Sequence, residues 1–193
     1  MDRVTLFSLV LAETVRPDKE SELPGMLLMA EAKISRELRC EEMSATDDIA
    51  LTNYSGALPA DFLGVRTVYD ADGPLQQVGL MEFRTSTRQE RTYALERGQI
   101  LSRCGDSLTI TYFARPAAMA ADGDTTAVLD SHPDLYVALL SFYVFKRTQD
   151  LELADGALQT YNDSRDTLNE VAERQRGAAR VGRGYSFGGC PSY

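Results

Sequence analysis

The chain has 193 residues, of which 44 % are apolar and 25 % charged, values that are ordinary for one globular domain with a substantial core. Its formal net charge of −9 excludes a surface that binds nucleic acid throughout, because phosphate binding requires clustered Lys and Arg. Three widely spaced cysteines (Cys40, Cys104 and Cys190) and no apolar run of about 20 residues predict a reducing compartment, no disulfide framework and no membrane helix. No signal peptide is expected at the N-terminus.

Helical periodicity predicts two helices at the start of the chain. The first covers about 5–15, with Thr5 as its N-cap. The second covers about 24–39, with Ser21 as its N-cap and Pro24 in its first turn. Its apolar residues recur at helical spacing and predict one buried stripe, formed by Leu27, Ala30, Ile34 and Leu38.

The middle of the chain, about 42–114, has the period of β-strands. Turn residues recur through it, with hairpin turns predicted at 70–73 and 97–98. Near its end, Leu108, Ile110 and Tyr112 alternate with residues of the opposite face, Thr109, Thr111 and Phe113. We therefore expect a β-rich insertion at 42–114.

Two further helices are predicted after the insertion. The first, about 133–148, is apolar nearly all round and is expected at the centre of the fold. The second, about 151–179, has a coiled-coil-like seam and a length of roughly 40 Å, so its far end is expected to pack on a neighbouring subunit. The resulting prediction is a mainly α protein with a four-helix-bundle-like core. It forms a single domain over 1–180, and an extended C-terminal arm follows at 181–193.

The charge is unevenly distributed along the chain. Residues 1–173 contain 16 basic and 29 acidic side chains, a net charge of −13, whereas residues 174–193 contain four arginines and no acid. A basic arm on an acidic body is typical of partner binding, and a solvated, disordered tail is the alternative. Glycines make the arm flexible, and its aromatic residues are suited to anchoring it in a groove of a partner protein. The predicted partner-binding residues are Arg174, Arg176, Arg180, Arg183, Tyr185, Phe187 and Tyr193.

The sequence contains no pattern that predicts catalysis, a cofactor or a metal. Its one histidine, His132, precedes Pro133 and fits a helix start better than a general base. The segments 70–73 and 122–124 resemble fragments of calcium loops, but they lack the other ligands, and turn chemistry explains them better. We predict no catalytic, cofactor-binding or metal-binding residue.

Several segments, in order, resemble the head-to-tail adaptor proteins of tailed bacteriophages. They are EAKISRELR at 31–39, LPADFL at 58–63, LTITYFARP at 108–116 and HPDLY at 132–136, with weaker matches at 82–83 and 93–101. Each motif is weak alone, but their order and spacing are fairly specific.

The resemblance implies a structural protein of the virion head–tail junction, made in the host cytoplasm. Such adaptors assemble as a ring, commonly of twelve copies, that binds the portal protein above and a tail or nozzle protein below. Genomic DNA passes through the lumen without specific binding, and no membrane is involved. The motifs themselves imply structural roles, so no catalytic residue is inferred from them.

Two other functions remain open from the sequence. One is a soluble binding or scaffold module, with no portal role, whose β insertion binds a partner. The other is an enzyme, such as a peptidoglycan hydrolase, that uses acids including Glu13, Glu31 or Asp61.

Overall fold

Helices occupy both ends of the described part of the chain, and strands occupy most of its middle. The structure is a computed structural model, and it describes residues 1–85 and 91–181, with side chains in the last helix up to residue 174. The helices are α1 Arg3–Thr14, α2 Leu23–Glu37, α3 Leu80–Thr85, α4 Ala127–Ser131, α5 Pro133–Arg147 and α6 Leu151–Val181. Short 3-10 helices cover Pro17–Glu22 and Glu41–Met43.

The first two helices begin differently from the prediction. Asp2, not Thr5, is the N-cap of α1, and its Oδ1 accepts the Thr5 amide at 2.8 Å. Ser21 lies inside the 3-10 helix that leads directly into α2. The amide of Leu23 is already bonded to the Glu20 carbonyl, so α2 begins without a side-chain cap.

The strands form two sheets of four strands each within the described residues. They are β1 Ser44–Ala50, β2 Ser55–Ala57, β3 Phe62–Asp70, β4 Gly73–Pro74, β5 Gln76–Gln77, β6 Thr92–Glu96, β7 Gln99–Ser102 and β8 Ser107–Ala114. One sheet has the order β1-β8-β3-β4 and the other β2-β7-β6-β5. Every pairing is antiparallel except that of β5 with β6.

The turns between these strands follow the chemistry of their residues. Both predicted hairpin turns, 70–73 and 97–98, are confirmed. Oδ1 of Asp70 accepts the amides of Asp72 and Gly73, a side-chain-stabilised turn. Arg97 and Gly98 both have positive φ, 47° and 80°, as the tight turn between β6 and β7 requires.

Strand β8 contributes to two separate hydrophobic cores. Leu108, Ile110 and Tyr112 point into a core enclosed by the two sheets, together with Ile49 and Ile100. Phe113, on the other face of β8, belongs to the core formed by the helices. The predicted alternation along β8 is therefore confirmed, and it joins the two cores through one strand.

Helix α5 lies at the centre of the helical core, as its apolar surface predicts. Leu135, Tyr136, Leu139 and Leu140 are fully buried, and α5 packs against α1, α2, α4 and α6. The seam of α6 is buried at Ala154, Tyr161 and Ala172, but Leu151, which begins the predicted seam, is 66 % exposed.

The predicted mainly α class with a four-helix-bundle core is wrong. The chain is 51 % helical and 24 % strand, a mixed α/β protein with two sheets. The physical reason is that Phe113 enters the helical core from strand β8, so the core is not closed by helices alone. In addition, the two sheets enclose a hydrophobic core of their own rather than forming an appendage to a bundle.

Candidate functional surfaces

The segment 31–39, which includes the last seven residues of α2, holds α6 in place through Glu37. The carboxylate of Glu37 lies 3.1 Å from Nη1 of Arg165 and 3.1 Å from Nζ of Lys33, and the Tyr161 hydroxyl donates to it at 3.5 Å. Burial by itself would raise the pKa of Glu37. Hydrogen bonds from Lys33, Arg165 and Arg36 outweigh burial and lower this pKa below its ordinary value.

A second contact fixes α6 against the end of α2. Oδ1 of Asn169 accepts the amide of Arg39 at 2.8 Å, and Nδ2 of Asn169 donates to the carbonyl of Glu37 at 3.0 Å. The last turn of a helix leaves carbonyl groups without partners inside the helix, and Asn169 satisfies one of them.

Glu31, in the same segment, binds the linker after β8. Its Oε1 accepts the amide of Met119 at 2.8 Å, and the Met119 side chain is buried in the helical core. Burial raises the pKa of Glu31, and the hydrogen bond from Met119 opposes that rise only in part. Glu31 therefore positions the main chain of the linker.

The segments 58–63 and 108–116 contact each other. The Tyr112 hydroxyl donates to Oδ1 of Asp61 at 3.1 Å, and the Arg115 amide donates to the Asp61 carbonyl at 2.7 Å. The rings of Phe62 and Tyr112 lie 5.8 Å apart. Asp61 thus fixes the start of β3 against the end of β8.

The segment 132–136 connects the start of α5 to the 3-10 helix Glu41–Met43 and to α6. Nε2 of His132 lies 3.3 Å from Oε1 of Glu42, and Ser164 on α6 donates to Asp134 at 3.1 Å.

Near Glu42, burial raises the pKa of the Cys40 thiol to about 12, with a smaller contribution from its hydrogen bond to Glu42. A thiol with so high a pKa is a poor nucleophile, so this cluster does not resemble a cysteine–histidine catalytic pair.

The acids considered for catalysis are placed in structural or exposed positions. Glu31 and Asp61 accept the hydrogen bonds described above, and Glu13 is exposed on α1. At 122–124, Oδ2 of Asp124 accepts the amide of Ala121 at 2.7 Å, a turn contact. In the described part of the chain, no group of three or more His, Cys, Asp or Glu side chains is arranged to hold a metal ion.

Only part of the predicted partner-binding arm lies within the described residues. Arg174 is exposed on α6 and pairs with Glu170 at 2.9 Å. Arg176 and Arg180 lie on the helical backbone of α6, but their side chains are outside the described set. The remaining predicted residues, Arg183, Tyr185, Phe187 and Tyr193, lie outside the described residues.

The structure also reveals a basic groove that the sequence did not predict. It is an open groove of about 560 Å³ between α2 and the segment after β8, and we call it the basic groove. Its lining includes Leu28, Arg36, Arg39, Leu63 and Arg115. Leu28 is 65 % exposed, and the Arg36 side chain is 71 % exposed. The exposed leucine at position 28 was a signal in the sequence, because it lies off the apolar stripe of α2.

A second exposed surface lies where α5 turns into α6. Asp150, Leu151, Glu152, Leu153 and Asp155 form what we call the acidic turn. Leu151 and Leu153 are 66 % and 51 % exposed. Among residues 1–85 and 91–174, the three carboxylates of the acidic turn form no ion pair.

Contacts that join separate elements of the fold are made by all four of these segments, 31–39, 58–63, 108–116 and 132–136. Such contacts are typical of a structural protein, in which the surfaces carry the function. The family model described as SU10 adaptor protein matches residues 2–184, and the chain belongs to this family. It is a bacteriophage structural adaptor protein and a component of the virion. No curated protein matches the chain. Within the described ranges, no helix has both the length and the apolar character needed to cross a membrane.

Proposed function

We propose that this protein is a head-to-tail adaptor whose copies form a ring between the portal protein and the tail or nozzle protein. The proposed ring has twelve copies, the number common among such adaptors. The ring continues the channel for genomic DNA at the head–tail junction. The observation that carries this proposal is the match to an adaptor family over residues 2–184, a range that includes every helix and strand of the described part of the chain. The role is structural and involves no catalysis.

The charge of the chain supports passage of DNA through such a ring. Residues 1–173 have a net charge of −13. A lumen lined by part of this acidic surface repels phosphates, so DNA slides through it without binding.

The end of α6 and the arm after it are the proposed docking element for the portal. The last buried side chain of α6 in the described set is Ala172, and the helix continues to Val181, roughly 13 Å further. The arginines at 174, 176, 180 and 183 would steer the arm to an acidic portal surface, and Tyr185, Phe187 and Tyr193 would then bury their rings in a groove. In this proposal residues 1–180 are one adaptor domain with its insertion at 42–114, and 181–193 are the arm.

Cryo-electron microscopy of the protein mixed with the portal of its phage tests this function. We expect a ring of adaptor copies seated under the portal, with the C-terminal arm in a portal groove. Free portal beside free adaptor would contradict the proposal. Specific binding to an unrelated target, with no affinity for the portal, would support a binding module instead.

A further inference from the structure

The basic groove and the acidic turn have complementary charge and complementary apolar surface. The groove presents Arg36 and Arg115 beside Leu28, and the turn presents Glu152 and Asp155 beside Leu151. The groove lining also contains Glu31, whose Oε1 accepts the Met119 amide, so its three arginines leave the groove with a net positive charge. In both surfaces an exposed leucine lies beside these charged residues. Apolar contact flanked by opposite charges is the arrangement found in specific protein interfaces.

The charges of the groove are available for a partner to different degrees. Nη1 of Arg39 donates to the carbonyl of Ser35 at 2.9 Å, so the Arg39 side chain is bonded to the last turn of α2. Arg36 has one contact, at 3.3 Å, with Glu37 and is mostly exposed. Arg115 is exposed, and its amide, rather than its side chain, bonds to Asp61. Arg36 and Arg115 are therefore the groove residues best placed to bind an incoming carboxylate.

The cations nearest to the acidic turn in sequence do not neutralise it. Arg147 pairs with Glu22 at 3.0 Å, and Lys146 lies over the ring of Phe142, 5.5 Å from its centroid. Within residues 1–85 and 91–174, the carboxylates of the turn are therefore left open to a cationic partner.

The groove and the contact with α6 lie on different sides of α2. Leu28, Ala32 and Ser35 recur at steps of four and three along α2 and form the side that lines the groove. Lys33 and Glu37, which contact α6, lie roughly 150° around the helix from that side. Helix α6 therefore packs on the other side of α2 and leaves the groove open to a second copy.

We propose that the acidic turn of one copy docks into the basic groove of the next copy. Leu151 would pack against Leu28, and Glu152 and Asp155 would face Arg36 and Arg115. Contact between two different surfaces of identical chains is heterologous, and such contacts close into rings when the rotation between copies permits. This inference rests on the proposed ring function and identifies the contact between subunits.

Charge reversal tests this contact. Arg115→Glu and Glu152→Arg each place like charges across the interface, and the chain that carries both restores opposite charges. We expect each single variant to self-associate about tenfold more weakly than wild type in sedimentation equilibrium at high protein concentration. We expect the double variant to regain most of the wild-type association, and misfolding could not produce such a recovery.

Mixing the two single variants gives a second readout. The Arg115→Glu chain keeps an unaltered turn and the Glu152→Arg chain keeps an unaltered groove, so an equal mixture should associate more strongly than either variant alone. The control variants Arg97→Glu and Glu13→Arg make the same charge changes at exposed sites elsewhere and should associate as wild type does.

The outcomes separate this inference from the proposed function. Wild-type association that neither reversal weakens, or an absence of self-association, would overturn the inference. So would a ring on the portal that both single variants form as wild type does. Association through the groove without any binding to the portal would instead overturn the proposed function and leave the contact between copies intact.

Discussion

Asn169 on α6 donates from Nδ2 to the main-chain carbonyl of Glu37 on α2 over 3.0 Å, across 132 positions of sequence. The same amide group accepts the Arg39 N–H. One side chain therefore caps the end of α2 and fixes the position of α6, the helix that leads to the proposed portal-binding arm.

Asn169→Ala should destabilise the protein by about 1–3 kcal/mol, because it leaves a partly buried carbonyl and a partly buried amide without partners. The free energy of unfolding in urea measures this loss. The control is Gln159→Ala, which truncates an exposed side chain on the same helix and should change stability by less than about 0.5 kcal/mol. Equal stability of the two variants would show that α6 is held without Asn169.

Gly56 on β2 lies against Ile49 on β1, a strand of the other sheet. A methyl group at Gly56 would overlap Cγ2 of Ile49 and lie 3.0 Å from the carbonyl oxygen of Ala50. Gly56→Ala should therefore destabilise the protein by about 1–3 kcal/mol. Thermal or urea denaturation measures the change.

Gly25 provides a matched control of opposite sign. It is exposed in α2, and a methyl group there meets nothing within 4 Å. Gly25→Ala should stabilise the protein by about 0.5–1 kcal/mol, because alanine has the higher helix propensity. A stabilising effect of Gly56→Ala as well would contradict the close approach of the sheets.

The pKa of Glu37 predicts a loss of stability in acid. Burial is the largest influence and would raise this pKa, but the hydrogen bonds from Lys33, Arg165 and Arg36 together lower it. A carboxyl group whose pKa is lowered by folding stabilises the fold above its unfolded pKa, and this contribution is lost as pH falls through the folded pKa. The contribution should therefore be complete at pH 7 and decline below about pH 4.5.

Glu37→Gln tests this dependence by comparison with wild type. The variant should have a lower urea midpoint than wild type at pH 7, and the difference should shrink as pH falls below about 4.5. Glu13→Gln, at an exposed site on α1, should leave the midpoint close to that of wild type at each pH. A difference between Glu37→Gln and wild type that does not vary with pH would contradict the role assigned to the Glu37 carboxylate.

Deletion of residues 182–193 should weaken binding to the portal by about tenfold or more, because the aromatic anchors and one of the four arginines are removed. The shortened chain should keep the far-UV circular dichroism of a folded protein, since the helical core is formed by residues before 182. Surface plasmon resonance with immobilised portal measures the affinity.

A second variant separates the aromatic side chains from the charge of the arm. Replacement of Tyr185, Phe187 and Tyr193 by Ser keeps the length and the arginines. We expect this variant to lose affinity mainly through faster dissociation, because charge steers association and buried rings slow release. Unchanged portal affinity of both variants would place the docking surface elsewhere on the chain.

The positions of the long helices were predictable because their apolar residues repeat at helical spacing. The structure has helices at Arg3–Thr14, Leu23–Glu37, Pro133–Arg147 and Leu151–Val181, close to the predicted 5–15, 24–39, 133–148 and 151–179. The fold class was not predicted correctly. The pattern of β8 showed two alternating faces, but not that Phe113 would close the helical core while Tyr112 entered the core between the sheets.

The candidate surfaces were predictable only where they are continuous in sequence. The basic arm is visible as a run of arginines without acids. The basic groove was missed because Arg36, Leu63 and Arg115 come from three separate segments, and no local pattern brings them together. The acidic turn was missed because Leu151 fits the periodicity of the α6 seam, yet it lies before the part of the helix that is buried.

The amino-acid sequence alone determined the helices, the β period of the middle segment, the hairpin turns and the charge difference between body and arm. These features depend on neighbouring residues, through backbone propensity, side-chain period and local charge. Only the tertiary structure decided how the sheets share a core, how Asn169 and Arg165 hold α6 on α2, and which residues line the basic groove. These features join distant segments, and long-range packing and hydrogen bonding determine them.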